Sequence, residues 1–165
     1  MSITNKSCIQ QILGSLMKCP QFLSEVDKYC LTIGDFSTKF ERYVFTAIEG
    51  LYKNGAPKIT AFDIESYLEM NGAGKKIFEQ HNGLEYLQDV EEFSNVENFP
   101  YYYTKLKKLN LLRDLKKQGF DTSDFYVEDL TSPKAMEINS QFEELTVHDI
   151  VTGVKKKLLV LESDY

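Results

Sequence analysis

No stretch of this 165-residue chain approaches the ~18 consecutive apolar residues that a membrane span needs. The opening MSITNKSCIQQ has no apolar core of the kind a secretory signal carries, so the expected location is cytoplasmic, with no membrane partner. Histidine occurs only at 81 and 148, and neither has an acidic or cysteine partner at metal-ligand spacing. Both are read as surface residues. The three cysteines, Cys8, Cys19 and Cys30, are eleven residues apart each time and cannot all pair within the chain. They are expected to be small buried apolar groups in a reducing compartment. Repeats and low-complexity tracts are absent. Strand signals are thin, because the one candidate, Leu158 to Leu161, continues a helical stripe with no turn before it.

Catalytic motifs are missing too. Asn71-Gly-Ala-Gly-Lys-Lys76 superficially suggests a phosphate-cradling loop, which requires GxxxxGK[ST] between a strand and a helix. Position 69 is Glu rather than Gly, Lys76 stands where Ser or Thr belongs, and a helix precedes it. The segment is read as a flexible loop between helices. Carboxylates such as Asp89, Glu91, Glu92, Glu143 and Glu144 fall on polar helix faces, the usual meaning of charge runs. No Ser/His/Asp or Cys/His set can be nominated. The chain is therefore expected to hold no catalytic residue, cofactor or metal.

Present instead are the ingredients of a helical protein. Apolar residues make up 42% and charged residues 27%, ordinary for a globular chain long enough for one or two small domains. The first helix is read from Thr4 to Lys18, with Ile9, Ile12, Leu13, Leu16 and Met17 on one side. Pro20 opens a short second helix, where proline is tolerated in the first turn. Thr38 and Glu41 form a capping box ahead of FERYVFTAIEGLYKNG, which Gly55 and Pro57 end. Thr60 caps the next helix, which Asn71-Gly72 terminates, and helices GKKIFEQHN and LEYLQDVEEF follow. Ser132-Pro133 reads as N-cap plus N1 of MEINSQFEEL after the acidic connection DTSDFYVEDLTSPK, and Thr146 caps the last helix.

Two helices near the end, Pro100–Gln118 and Thr146–Leu161, each carry a single apolar stripe. Tyr102, Leu106, Leu109, Leu112 and Leu115 form one; Val147, Ile150, Val151, Val154, Leu158 and Leu161 form the other. Pro100 lies in the first turn of the former and Gly119 at its C′ position. Two such helices back to back cover only each other, so the hairpin is expected to seek a partner surface. The fold class is all-α: a small globular bundle over 1–98, an extended helical hairpin serving as an oligomerisation arm over 99–162, and the start of a linker at 163–165.

Between the stripes runs a basic strip, in which Lys105, Lys108, Arg113 and Lys116 are candidate nucleic-acid contacts beside Tyr101 to Tyr103. Lys155 to Lys157 adds three more cations. With a net charge of −6, these are read rather as a solvated outer face complementing the negative helix C-termini.

Taken in order, these blocks resemble the N-terminal domain of the DnaB-like replicative DNA helicases. Leu13-Gly14-Ser-Leu16-Met17 resembles the family's opening helix. Asp35-Phe36, Phe40 and Tyr43-Val-Phe45-x-Ala47-Ile48-x-x-Leu51-Tyr52-x-x-Gly55-x-Pro57 resemble its central block. Gly83-x-x-Tyr86-Leu87 is similar to the next, and Tyr102 through Leu111-Leu112-Arg113 to the start of its hairpin. Departures are Lys58 after the proline and a long connection from Phe120 to Leu145.

The resemblance implies a non-catalytic piece of an ATP-driven hexameric helicase, of phage or mobile-element type. In it, N-terminal domains pair through the hairpin into dimers, three dimers form a collar, and the collar recruits primase and in some systems a loader. A motor domain absent from this chain would bind ATP and Mg and engage most of the DNA, so the chain is expected to be the N-terminal portion of a longer protein, cut at the linker after Leu161. Alternative readings are the helicase-binding C-terminal domain of a primase, and a single-stranded nucleic-acid-binding module using the Lys105–Lys117 strip.

Overall fold

Three of the described helices start on a threonine, and two end beside a glycine in the left-handed conformation. In the computed structural model, which describes residues 6–165, Thr38 caps helix α2 (Lys39–Lys53), Thr60 caps α3 (Ala61–Glu69) and Thr146 caps α8 (Val147–Ser163). Each hydroxyl accepts from the N3 amide while the N3 carboxylate accepts from the threonine amide, so two otherwise orphaned donors are satisfied at once. At its other end α6 (Phe99–Lys117) closes with Gly119 at φ 92°, a left-handed conformation that glycine adopts without a Cβ penalty. Gly119 N donates to Lys116 O and Phe120 N to Leu115 O, the paired bonds of a Schellman end.

Among the described residues the secondary structure is helical, with no strand. The remaining helices are α1 (Lys6–Lys18), α4 (Gly72–Gln80), α5 (Gly83–Phe93) and α7 (Ala135–Glu144). Thr4 and Asn5, included in the sequence reading of α1, lie outside the described residues. The Pro20 segment is a 3-10 turn, Pro20–Ser24, rather than an α-helix. Residues 71–76 are not a loop: Asn71 Oδ1 accepts from Gly74 N, so this residue caps α4 and the glycines form its first turn. The start of α7 is shifted as well. Lys134 occupies its N-cap and Ser132–Pro133 forms a turn before it, with Ala135 N donating to Ser132 O.

The chain folds as two compact units, one ending at Leu106 and one running from Lys107 to Tyr165, so the division falls inside α6. In the first, α1 packs on α5 and α2 on α3 and α4. Ile12, Leu13, Leu16, Val44, Phe45, Ile48, Ile64 and Leu87 are fully buried between them. Phe22 stacks on Phe99 at 4.0 Å, and Tyr29 meets Phe99 edge-on at 4.9 Å, which anchors the start of α6 in this core.

In the second unit Leu109, Leu112, Phe125, Phe142, Ile150 and Val154 make a separate core. The acidic connection 121–134 takes part in this core. It contributes Phe125, whose ring lies so close to Gly153 that a Cβ there would sit at 2.9 Å. Asn139 then clasps Val127 from both sides, accepting its N–H at 2.8 Å and donating to its carbonyl at 2.9 Å. A third helix and a strap thus complete what two striped helices cannot close alone.

Candidate self-association surface

The two stripes meet different fates along their length. Tyr102 and Leu106 belong to the first unit: Leu106 is buried, and the half-buried Tyr102 accepts the Cys8 thiol at its carbonyl oxygen, 3.0 Å away. Leu109 and Leu112 are buried in the second unit's core with Ile150 and Val154. Leu115 and Val151 are half-buried. Leu109, Leu112, Ile150 and Val154 therefore already have cover within one subunit, shared with Phe125 and Phe142.

The cover ends after Val154. From Leu158 to Leu161 every residue is exposed, by 48 to 66%, and Val147 at the opposite end of α8 is 41% exposed. Leu159 and Val160 lie outside the stripe picked out by three-to-four periodicity. Four consecutive residues at about 100° each sweep most of the way round a helix, so this end of α8 is apolar on nearly all sides. A helix of that character is normally enclosed rather than merely paired. The signal available in sequence was the unbroken run Leu158-Leu-Val-Leu161 itself, which periodicity alone cannot place.

The lysines between the stripes do not form a free strip. Lys108 is 2% exposed. Its Nζ donates to Phe142 O at 2.8 Å and Glu143 O at 3.4 Å, and lies 4.4 Å from the centre of the Phe142 ring. It thus caps the C-terminal carbonyls of α7, where the helix dipole favours a cation. In the same unit Lys116 pairs with Glu128 at 3.2 Å, and Lys157 pairs with Asp124 at 2.6 Å while lying over Phe125. Arg113 is half-buried. In the first unit Lys105 lies 5.7 Å from the centre of the Tyr101 ring. The candidate nucleic-acid contacts are thus largely engaged within their own units, and Lys155 and Lys156 stay exposed on α8.

Other side chains singled out by sequence take ordinary places. His81 is exposed, donates from Nδ1 to Ile77 O at 2.9 Å, and stacks on Phe40 at 4.8 Å. His148 is exposed in the first turn of α8, 3.5 Å from the Thr152 hydroxyl. The cysteines differ from the uniform burial expected of them. Cys8 is buried, Cys19 half-buried and Cys30 exposed, because 30 falls in the loop after α1 rather than on a core face. Burial pushes the Cys8 thiol up to about 12, against the lowering influence of Lys105. Among the described residues no helix is long and apolar enough to cross a membrane, and no group of His, Cys, Asp and Glu is placed to hold a metal ion.

Comparison with known proteins assigns these features to a lineage. The family described as the DnaB-like helicase N terminal domain matches residues 4–108, nearly the extent of the first compact unit. The SPbeta prophage-derived uncharacterized protein YorI of Bacillus subtilis (strain 168) is 35% identical over 164 residues, covering 99% of this chain and 32% of that protein. The chain therefore spans about a third of the length of the curated relative it matches, and the likeness extends through the second unit beyond the family match. A prophage relative is consistent with a phage or mobile-element origin. No solved structure matches. An all-α unit of this order and extent, matched over most of its length, places the chain in the DnaB-like helicase N-terminal domain family.

Proposed function

We propose that this chain is the oligomerisation domain of a replicative helicase and self-associates through the C-terminal turns of α8. One observation carries the reading: the apolar surface of Leu158 to Leu161 is exposed on nearly every side of the helix. Burying such surface contributes about 25 cal/mol for each Å², which works against the ordering cost of bringing two subunits together. Closed two-fold pairing is the commonest arrangement for identical chains. By the family's character, dimers would build towards a hexameric collar. That collar would dock primase and in some systems a loader, while a separate motor domain unwinds DNA with ATP and Mg.

The segment Asn71 to Lys76 does not have the form of a phosphate-cradling loop. Asn71 to Lys76 forms the first turn of α4, preceded by helix α3 rather than a strand, and lacks the hydroxyl after the lysine. In this reading the domain contributes assembly. The nucleic-acid reading is disfavoured by the internal engagement of Lys108 and Lys116, and the family match supports a helicase domain over a primase one.

Sedimentation velocity across a concentration series tests the assembly. The chain should shift from monomer to dimer or larger species at micromolar concentrations. Leu158→Asp with Leu161→Asp should hold it monomeric with its helical circular dichroism unchanged, because these side chains are about half exposed and are members of neither buried core. Unaltered assembly in that variant, or a strictly monomeric parent chain, would overturn the reading. Leu109→Asp is the wrong reagent, since that residue lies in the second unit's own core.

A further inference from the structure

Charge changes sign across the last turns of α8. Lys155, Lys156 and Lys157 precede the exposed run Leu158 to Leu161, and Glu162 and Asp164 follow it. Lys157 is already engaged by Asp124 at 2.6 Å. Lys155 and Glu162 are exposed, and among the described residues neither has an ion-pair partner. They do not reach each other along one helix. Seven residues place them about 10.5 Å apart on the axis, whereas charges that pair on a helix lie three or four residues apart.

Rotation nevertheless puts both on one side. At about 100° per residue, Lys155 and Glu162 project within about 20° of each other, and Leu158 lies about 40° beyond Glu162. Leu159 and Leu161 flank this face, one on each side, while Val160 lies behind it. Ile150, in the second unit's core, projects about 140° from Lys155, so the charged part of the face points away from that core. The face therefore has a leucine centre, a free cation one turn before it and a free carboxylate one turn after.

Two copies of such a face fit together in one direction only. A parallel pair in register sets Lys155 against its own copy and Glu162 against its own, so like charges meet at both ends. Sliding a parallel pair by seven residues joins one lysine to one glutamate but leaves the other two unused, in a head-to-tail contact that does not close. An antiparallel pair about a two-fold axis beside Leu158 and Leu159 behaves differently. Positions 155 and 162 are then equally distant from the axis, and Lys155 meets Glu162 of the partner subunit at each end.

We propose that α8 pairs antiparallel with α8 of a second copy, its leucines lying between two symmetric Lys155–Glu162 ion pairs. This rests on the self-association reading and adds its direction and register. Burial of Leu158, Leu159 and Leu161 supplies the attraction, which has no direction of its own. The charges at the rim add little affinity and select the arrangement.

Sedimentation velocity of the whole chain tests the register. Lys155→Glu and Glu162→Lys should each weaken self-association by about fivefold or more, since either sets like charges together at both ends of the pair. Lys155→Glu with Glu162→Lys in one chain should restore the parent's affinity, and added salt should narrow these differences. Lys75→Glu with Lys76→Glu on α4 should change nothing. The direction is read separately by a spin label at His148→Cys, in a Cys19→Ser, Cys30→Ser background where the remaining Cys8 is buried. Dipolar coupling between the two labels should report a separation of about 30 Å along the antiparallel helices, against about 10 Å for a parallel pair. Indifference to both single reversals, failure of the double reversal to restore assembly, or the short distance would overturn this arrangement and leave assembly through α8 standing. A parent chain that stays monomeric, or assembly unaltered by Leu158→Asp with Leu161→Asp, would overturn both.

Discussion

Replacing Lys108 by Met isolates the role of a lysine that sequence reads as outer-face charge. The Met side chain keeps most of the aliphatic stem, so packing against Phe142 is largely preserved. What disappears is a charge-assisted bond at 2.8 Å to Phe142 O and a longer one at 3.4 Å to Glu143 O. A hydrogen bond to a charged group contributes about 1.5–3 kcal/mol. Removing the ammonium also relieves its own desolvation, which offsets part of that loss. Phe142 O keeps a second partner in Leu145 N at 3.1 Å, so it is not orphaned. The net destabilisation of the second unit should be about 1.5 kcal/mol, roughly a tenfold loss of amide protection.

Hydrogen exchange read by mass spectrometry is the appropriate assay, because it resolves α7 and α8 from α1 to α5. Protection should fall in α7 and α8 and stay constant in the first unit. Unchanged protection in α7 and α8, with reduced affinity for a single-stranded oligonucleotide, would refute the capping argument and restore Lys108 to a nucleic-acid surface.

Two other perturbations separate the caps and the thiols. The Asp149 carboxylate is held below its ordinary 3.8 by the Thr146 amide, then by the Thr146 hydroxyl, so its cap stabilises α8 fully above that value and is lost as pH falls through the lower native one. The stability difference between the parent chain and Asp149→Asn should therefore be flat near neutrality and shrink below about pH 4 in acid unfolding monitored by circular dichroism; a difference independent of pH would refute it. Towards a disulfide reagent near neutral pH, exposed Cys30 should react promptly and buried Cys8, whose thiol is pushed up to about 12, only after unfolding. Equal rates at the two positions by peptide mapping would refute that assignment.

How much of this was legible beforehand depended on whether the cause was local. Capping boxes at Thr38, Thr60 and Thr146, the glycine end of α6 and the all-helical class follow from interactions three to five residues apart, which a sequence displays directly. The misreadings also have local causes. Asn71-Gly72 reads equally well as the end of one helix or the start of the next, and it serves as the start of α4. Ser132-Pro133 has the form of a helix start, yet the backbone makes a turn first.

The sequence by itself determined the two apolar stripes, their period and the order of blocks that resembles the DnaB-like family. Only the tertiary structure decided which part of each stripe is spoken for. Leu109, Leu112, Ile150 and Val154 are covered because Phe125, from a connection that reads as polar and acidic, and Phe142 pack with them in one core. Leu158 to Leu161 lie past the end of that cover. The same folding brings Lys108 to the end of α7, thirty-four residues away in the chain. Periodicity specifies which face of a helix is apolar; what lies against that face depends on residues distant in sequence, and only packing brings them together.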